Sequence, residues 1–372
     1  MAAIKNILLV FGTRPEVIKM APVVKEFRKY PKYFNTKVCV TGQHRQMIDP
    51  LLKLFDIQVD YDLNIMQQNQ GLEHITTKVL FEVGKIIEAD KTDWVIVQGD
   101  TTTAMAAGLA AFYKKVNVGH VEAGLRTWDK NHPYPEEVNR RIIDSFADLY
   151  FAHTPLARKN LINEGVPLAK IAVTGNTVID ALLESSRKKF TFEGTALASL
   201  EKEKRKIILM TAHRRENTGE PILNICRAVR EIATRHAKDV LFVYPVHLNP
   251  NILKPVHAVL AGVDNVILTE PMEYLPLVHL MKKSYFVLTD SGGLQEEAPT
   301  FGKPVLVLRE TTERPEGVKA GCVKVIGTDT QMIIRSVEAL LTNKKIYSRM
   351  AKAKNPYGDG TASKKIVACL KK

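Results

Sequence analysis

Short runs of β-branched and aliphatic residues recur along the chain between longer stretches whose apolar residues follow helical spacing, and each run is about one buried strand long. The pattern predicts strands over 7–11, 37–41, 94–98, 116–121 and 149–152, and a second set over 171–174, 207–211, 240–246, 266–268, 285–289 and 304–308. Strands alternating with helices form parallel sheets, because a parallel connection needs a crossover that a helix supplies. Two successive doubly wound, Rossmann-like sheets in an α/β fold are the economical solution. The stretch 184–205 is rich in Lys, Ser, Glu and Ala without a strand signal, so it reads as a surface helix or a connection inside the second domain. We expect an N-terminal domain over 1–174 and a C-terminal domain over 175–359. The turn-rich run Asn355, Pro356, Tyr357, Gly358, Asp359 and Gly360 precedes a short amphipathic helix within 360–372, expected to pack back on the first domain.

A length of 372 residues exceeds the size at which one core usually stops growing, which agrees with two domains. No apolar run is long enough to span a bilayer, and the N-terminus leads directly into the first strand without a signal peptide's apolar region and cleavage site. A cytoplasmic protein without a membrane partner is expected. Cys39, Cys226, Cys322 and Cys369 show no CxxC or Cys/His metal spacing, so buried free thiols are expected and no metal. The net charge of +13 raises the question of nucleic acid. Its lysines and arginines are spread along the chain and no nucleic-acid module is visible, so no nucleic-acid partner is expected. A basic field still favours a small anionic substrate such as a nucleotide diphosphate.

In open α/β sheets ligands gather beyond the carboxyl ends of the strands, so the polar residues that follow each strand carry the chemistry. After the first strand, Thr13 and Glu16 have capping-box spacing and Pro15 suits a first helical turn. Arg14 and Lys19 are then placed to meet phosphates, although a capped helix with Arg14 in a surface pair is an equal reading of this motif alone. Asp100 opens an Ala-rich helix, where an N-cap is the favoured reading of an isolated Asp. Glu122 lies at the mouth of a buried strand, where desolvation penalises an unpaired carboxylate. Pro133 and Pro135 bracket the way into a helix that positions Glu136. His213 stands beside Arg214 and Arg215 at another strand end; a lone His is usually structural, but this one is well placed. Asp290, Ser291, Gly292 and Gly293 have the form of a phosphate-binding turn, with Glu297 one helical turn on, facing a ribose, and Glu296 directed elsewhere. Arg314 offers a further phosphate or ribose contact. No Gly-x-Gly-x-x-Gly follows the first strand and no Walker lysine motif occurs, so neither a nicotinamide nor a catalytic metal is expected and no cofactor is assigned.

Taken in order, FGTRPE (11–16), GDTTT (99–103), HVEAGLRT (120–127), PEEVNRR (135–141), HRREN (213–217), YPVHLNPN (244–251), SGGLQEEAP (291–299) and TTERPE (311–316) resemble the non-hydrolysing bacterial UDP-N-acetylglucosamine 2-epimerases. The resemblance runs from about residue 7 to 359. It implies a GT-B-type arrangement with the active site in the interdomain cleft, a homodimer, and interconversion of UDP-N-acetylglucosamine and UDP-N-acetylmannosamine. Arg14, Lys19, Ser291, Gly292, Gly293, Glu297 and Arg314 are the implied UDP contacts, and Asp100, Glu122, Glu136 and His213 the implied catalytic or sugar-contacting set. Gln43, Gln46, Gln70, Arg215 and His247 match an activator site for a second UDP-N-acetylglucosamine. Three positions depart from the family pattern: Asn69 stands for Gly, Met272 for Gln and Leu277 for Phe; the last two suit a uracil held by backbone groups and apolar packing. A GT-B glycosyltransferase, a hydrolysing epimerase and a non-catalytic UDP-sugar sensor are the rival readings. The first would need an acceptor, the second departs from the activator match, and the third has no need of carboxylates. Which carboxylate serves which face of the sugar is left open.

Overall fold

The computed structural model describes residues 3–42, 45–67 and 70–371, without the side chains of 45–47. The chain forms two compact units, Met1–Ala181 with Tyr357–Lys372, and Leu182–Pro356. The division falls later than the expected boundary after Thr174, inside the helix Thr177–Ser185. The start of that helix is tied to the first unit. Asn176 N donates to Tyr357 O at 2.6 Å, and the Asp180 carboxylate accepts from Ala362 N, Ser363 N and Ser363 Oγ at 3.1, 2.9 and 2.6 Å. Asp180 thereby caps the helix Ala362–Lys371, which packs on the helix Arg14–Arg28.

The first unit holds β1 (Lys5–Phe11), β2 (Phe34–Val40), β3 (Tyr61–Asp62), β4 (Trp94–Gln98), β5 (Asn117–Ala123), β6 (Leu149–Ala152) and β7 (Ile171–Val173) in one parallel sheet of order β3-β2-β1-β4-β5-β6-β7. The second holds β8 (Lys206–Thr211), β9 (Val240–Pro245), β10 (Val266–Thr269), β11 (Phe286–Thr289), β12 (Val305–Val307) and β13 (Val323–Val325), also parallel, in the order β10-β9-β8-β11-β12-β13. The strand grouping put 171–174 with the second set although the expected first domain, 1–174, contained it; β7 pairs with β6, Tyr150 opposite Ile171, inside the first unit. β3 and β13 are edge strands of two and three residues, too short for a periodic signal.

Both sheets are buried on two faces, which is why their strands read as continuous apolar runs. In the second unit Ile208, Met210, Phe242 and Tyr244 pack against Ile222, Ile225 and Val229 of the helix Glu220–Arg235, whereas Ile207, Leu209, Leu241 and Val243 face Met281 and Leu294. Cys39, Cys226 and Cys322 are buried free thiols whose pKa burial pushes up to about 12, 12 and 11, so they stay protonated and unreactive; Cys369, expected to be buried, is only half-buried. Among the described residues no helix is long and apolar enough to cross a membrane. In each sheet the winding reverses once, between β1 and β4 and between β8 and β11. Those two switch points are where a doubly wound sheet opens a crevice for a ligand.

Candidate active site

At the first switch point the chain leaves β1 through Gly12 into the helix Arg14–Arg28. A Cβ on Gly12 would stand 1.9 Å from Thr41 Oγ1 and 2.9 Å from Thr103 Oγ1, so only glycine permits this approach. Glu16 closes the turn, accepting from Gly12 N at 3.1 Å, Thr13 N at 2.8 Å and Thr101 Oγ1 at 2.7 Å. Burial raises the Glu16 pKa against these hydrogen bonds. Arg14 sits half-buried in the first turn, and Lys19 forms an ion pair with Glu122.

Across the switch point Asp100 departs from the N-cap role: Thr101 caps the helix Thr102–Tyr113, accepting from Ala104 N at 3.0 Å. The Asp100 carboxylate pairs with Arg140, and Asn139 Nδ2 donates to the Asp100 carbonyl at 3.0 Å. Glu122 sits at a shift of register between β5 and β6 with φ at 68°, a backbone conformation that costs energy for any residue but glycine. Such bulges re-aim a side chain. Here Glu122 is buried, and its carboxylate meets Lys19 and accepts from Gln98 Nε2 at 2.8 Å.

The helix Glu136–Phe146 organizes this region. Glu136 stands half-buried at its first position. The neighbouring Glu137 is fully buried and structural: it accepts from Thr127 N at 3.0 Å and Trp128 N at 3.1 Å and lies 3.3 Å from Arg140 Nη1. Further along, Asp144 accepts from His120 Nδ1 and Arg126 Nη2, each at 2.6 Å, and from Gly124 N at 3.2 Å. His120 Nε2 donates to the Gly99 carbonyl at 2.7 Å, and Arg126 continues to Glu164 at 2.5 and 2.9 Å. Burial opposes the Asp144 charge, but His120 and Arg126 outweigh it and hold its pKa below the usual aspartate range. This buried network fixes the residue before Asp100 and the second residue after Glu122. The sequence reading missed it because its members lie far apart along the chain.

At the second switch point the balance of side chains differs. The ends of β8 and β11 are joined by Thr211 Oγ1 and Thr289 Oγ1, 2.6 Å apart. Asp290, fully buried, accepts at Oδ2 from His213 N, Arg214 N and Asn217 Nδ2 at 2.7, 2.8 and 2.9 Å. The His213 ring stacks on that of His247, centroids 5.8 Å apart and planes 12° from parallel. Burial lowers the His213 pKa; Asp290 pulls it up, while Arg214 and His247 push it down, and the balance is a lowered value. A Cβ on Gly292 would lie 3.4 Å from Arg314 Cζ and 3.6 Å from Arg214 Nη2, so two guanidinium groups stand over the Ser291–Gly292–Gly293 turn.

Arg314 is oriented by Glu296 at 2.8 Å and Glu313 at 2.7 Å. Glu296 and Glu313 together aim the cation. Glu297 Oε1 lies 3.3 Å from where a Gly293 Cβ would be, and Tyr274 OH donates to its Oε2 at 3.2 Å. Met272 and Leu277 pack on the apolar cluster that contains Leu294 and Met281. Glu296 is directed away from the turn, as its place on the helix predicts, whereas Tyr274 and the anchoring role of Asp290 had no assignment from the sequence; for Asp290, a position directly after the end of β11 was the available signal.

Of the implied activator set, Gln43 and the departure at Asn69 lie outside the described residues, as does the side chain of Gln46. Gln70, in the first unit, accepts from Gln67 N at 3.2 Å. Arg215 and His247, in the second, are exposed, and His247 Nδ1 accepts from Asn249 N at 3.1 Å.

Residues 25–371 match the family model for UDP-N-acetylglucosamine 2-epimerase. The UDP-N-acetylglucosamine 2-epimerase of Neisseria meningitidis serogroup A is 52% identical to this chain over 374 residues, 99% of each. A crystal structure of the N. meningitidis UDP-GlcNAc 2-epimerase bound to UDP-GlcNAc is 51% identical, covers 98% of this chain and 99% of that one, and has a TM-score of 0.89. The structure of S. aureus MnaA with UDP is 47% identical, with 99% and 96% covered and a TM-score of 0.88.

Proposed function

The chain belongs to the UDP-N-acetylglucosamine 2-epimerase family, and from that premise we propose that it reversibly interconverts UDP-N-acetylglucosamine and UDP-N-acetylmannosamine without hydrolysing either. The observation that carries the reading is the pair of switch points: carboxylates held in place at the first, and a histidine with two guanidinium groups over a glycine turn at the second. A nucleotide sugar needs both kinds of chemistry.

The C2 proton of the sugar is not next to a carbonyl, so direct removal is prohibitively slow. Breaking the C1–O bond first lets UDP leave with the bonding pair. The developing oxocarbenium ion acidifies C2, and a carboxylate takes the C2 proton to give 2-acetamidoglucal. Re-addition completes the inversion: a carboxyl group protonates C2 from the opposite face, and a β-phosphate oxygen of UDP closes on C1 from the face it left. Asp100, Glu122 and Glu136 serve the proton transfers. Arg14, His213, the Ser291–Gly292–Gly293 turn and Arg314 stabilise the departing diphosphate, Arg214 joins them, and Glu297 takes the ribose hydroxyls. Lys19 reaches the site through Glu122, whose charge it balances. Met272 and Leu277 supply the apolar side of the uracil pocket. We further propose activation by a second UDP-N-acetylglucosamine at Gln43, Gln46, Gln70, Arg215 and His247, and a cytoplasmic homodimer that supplies N-acetylmannosamine units for surface polysaccharide.

The test is incubation with UDP-N-acetylglucosamine in D2O, without added metal or NAD, followed by proton NMR. Deuterium at C2 with a new UDP-N-acetylmannosamine signal is the expected result. Unchanged sugar would turn the reading to an acceptor-dependent transferase or a sensor, and free N-acetylmannosamine to the hydrolysing branch.

A further inference from the structure

We propose that Asp290 is a positioning residue that fixes the His213 imidazole in the tautomer protonated at Nδ1, leaving Nε2 as the ring atom that meets the substrate. The inference rests on His213 acting in the epimerisation proposed above. Asp290 lies at the end of β11, and Oδ2 is saturated by three N–H donors from the turn that carries His213. Its other oxygen, Oδ1, is buried and has no aligned donor among the described residues. The atom that faces it is His213 Nδ1, 3.2 Å away, within ion-pair distance though not yet aligned as a hydrogen bond. Buried carboxylate oxygens without a donor are costly, and hydrogen bonds of this kind often tighten only when substrate is bound.

Among the described residues, neither of the other groups that act on the ring offers an acceptor to Nδ1. Arg214 carries donors only, and His247 lies ring on ring rather than edge to edge. An ionised carboxylate only accepts, so the proton resides on Nδ1 and the lone pair on Nε2. To meet the departing diphosphate Nε2 takes up a proton and donates it toward the phosphate oxygens, and the Asp290 charge balances the imidazolium across the Nδ1–H. The same carboxylate therefore both builds the turn and sets the chemistry of the ring it carries.

Asp290→Asn separates the two roles. The amide oxygen can take the place of Oδ2 and keep the three turn donors, which puts the NH2 group against Nδ1 and forces the proton to Nε2. In 15N-labelled protein, with the His213 signals assigned by loss in His213→Gln, the wild type is expected to show the Nδ1–H pattern and Asp290→Asn the Nε2–H pattern. Turnover is expected to fall by about 10²–10⁴-fold, the range for a lost acid/base contribution, with KM and UDP affinity within about threefold, and the double variant is expected to be no slower than His213→Gln alone. A wild-type ring protonated at Nε2, or losses that multiply in the double variant, would overturn the proposal. UDP binding checks that Asp290→Asn is folded. If the wild type binds UDP without exchanging C2, or His213→Gln turns over normally, the fault lies with the epimerase reading or the His213 role, and the ring spectra still decide the tautomer.

Discussion

The two sheets wind alike and reverse at equivalent points, yet the balance of side chains gathered at the two reversals differs. At the first, Glu16, Asp100 and Glu122 are carboxylates, the last two paired with the cations Arg140 and Lys19. At the second, His213, Arg214 and Arg314 are donors and cations, two of them on a turn built around Asp290 and the third aimed by Glu296 and Glu313. Topology decides where a ligand can sit, and the residues that follow each strand decide which part of it is welcome.

That contrast is open to direct attack, and the sharpest blow falls on the first switch point. Glu122→Gln is expected to lower kcat by about 10²–10⁴-fold, as for other acid/base groups, while calorimetric UDP affinity stays unchanged; weakened UDP binding would erase the division of labour. Arg314→Ala is expected to weaken UDP binding by about 10–100-fold, the worth of a charge-assisted hydrogen bond, with a smaller loss in Glu296→Gln, where the guanidinium survives but loses part of its aim. A next step tests geometry rather than charge. Gly12→Ala is expected to cost about 1–3 kcal/mol in urea unfolding, the usual penalty of overpacking, because Thr41 and Thr103 must give way.

The smallest effect concerns pH. Because the Asp144 pKa is lowered in the folded state, its ionisation contributes stability above the ordinary aspartate value of 3.8, and that contribution is lost as pH falls below it toward the folded value. Asp144→Asn is expected to be less stable at neutral pH, with the gap to the wild type narrowing in acid; a gap that widens would show that His120 and Arg126 do not hold the charge.

The interior strands were legible because burial on both faces writes an uninterrupted apolar run: β4 and β6 match their expected bounds. The edges β3 and β13 are too short and too exposed to leave such a mark. β7 was visible as a strand but grouped with the wrong sheet, since sheet membership is decided by pairing with β6 and not by local pattern. The site shows the same limit. Strand ends pointed to Asp100, Glu122, His213 and the 291–293 turn, and the helical turn separated Glu297 from Glu296; the structural role of Glu137 beside Glu136 rests on contacts with Thr127 and Trp128 that no pattern announces. His120 and Asp144 are contacts between β5 and a later helix, and no spacing announces them.

The capping of the helix Ala362–Lys371 by Asp180 has a temporal side. Domains usually complete themselves in the order of synthesis. Here the helix that finishes the first unit is translated after the whole of Leu182–Pro356, so the ribosome delivers a complete second unit while the first still waits for its closing piece. Until then the face of the helix Arg14–Arg28 that packs on the helix Ala362–Lys371 is uncovered, and a chain halted before that point leaves it exposed.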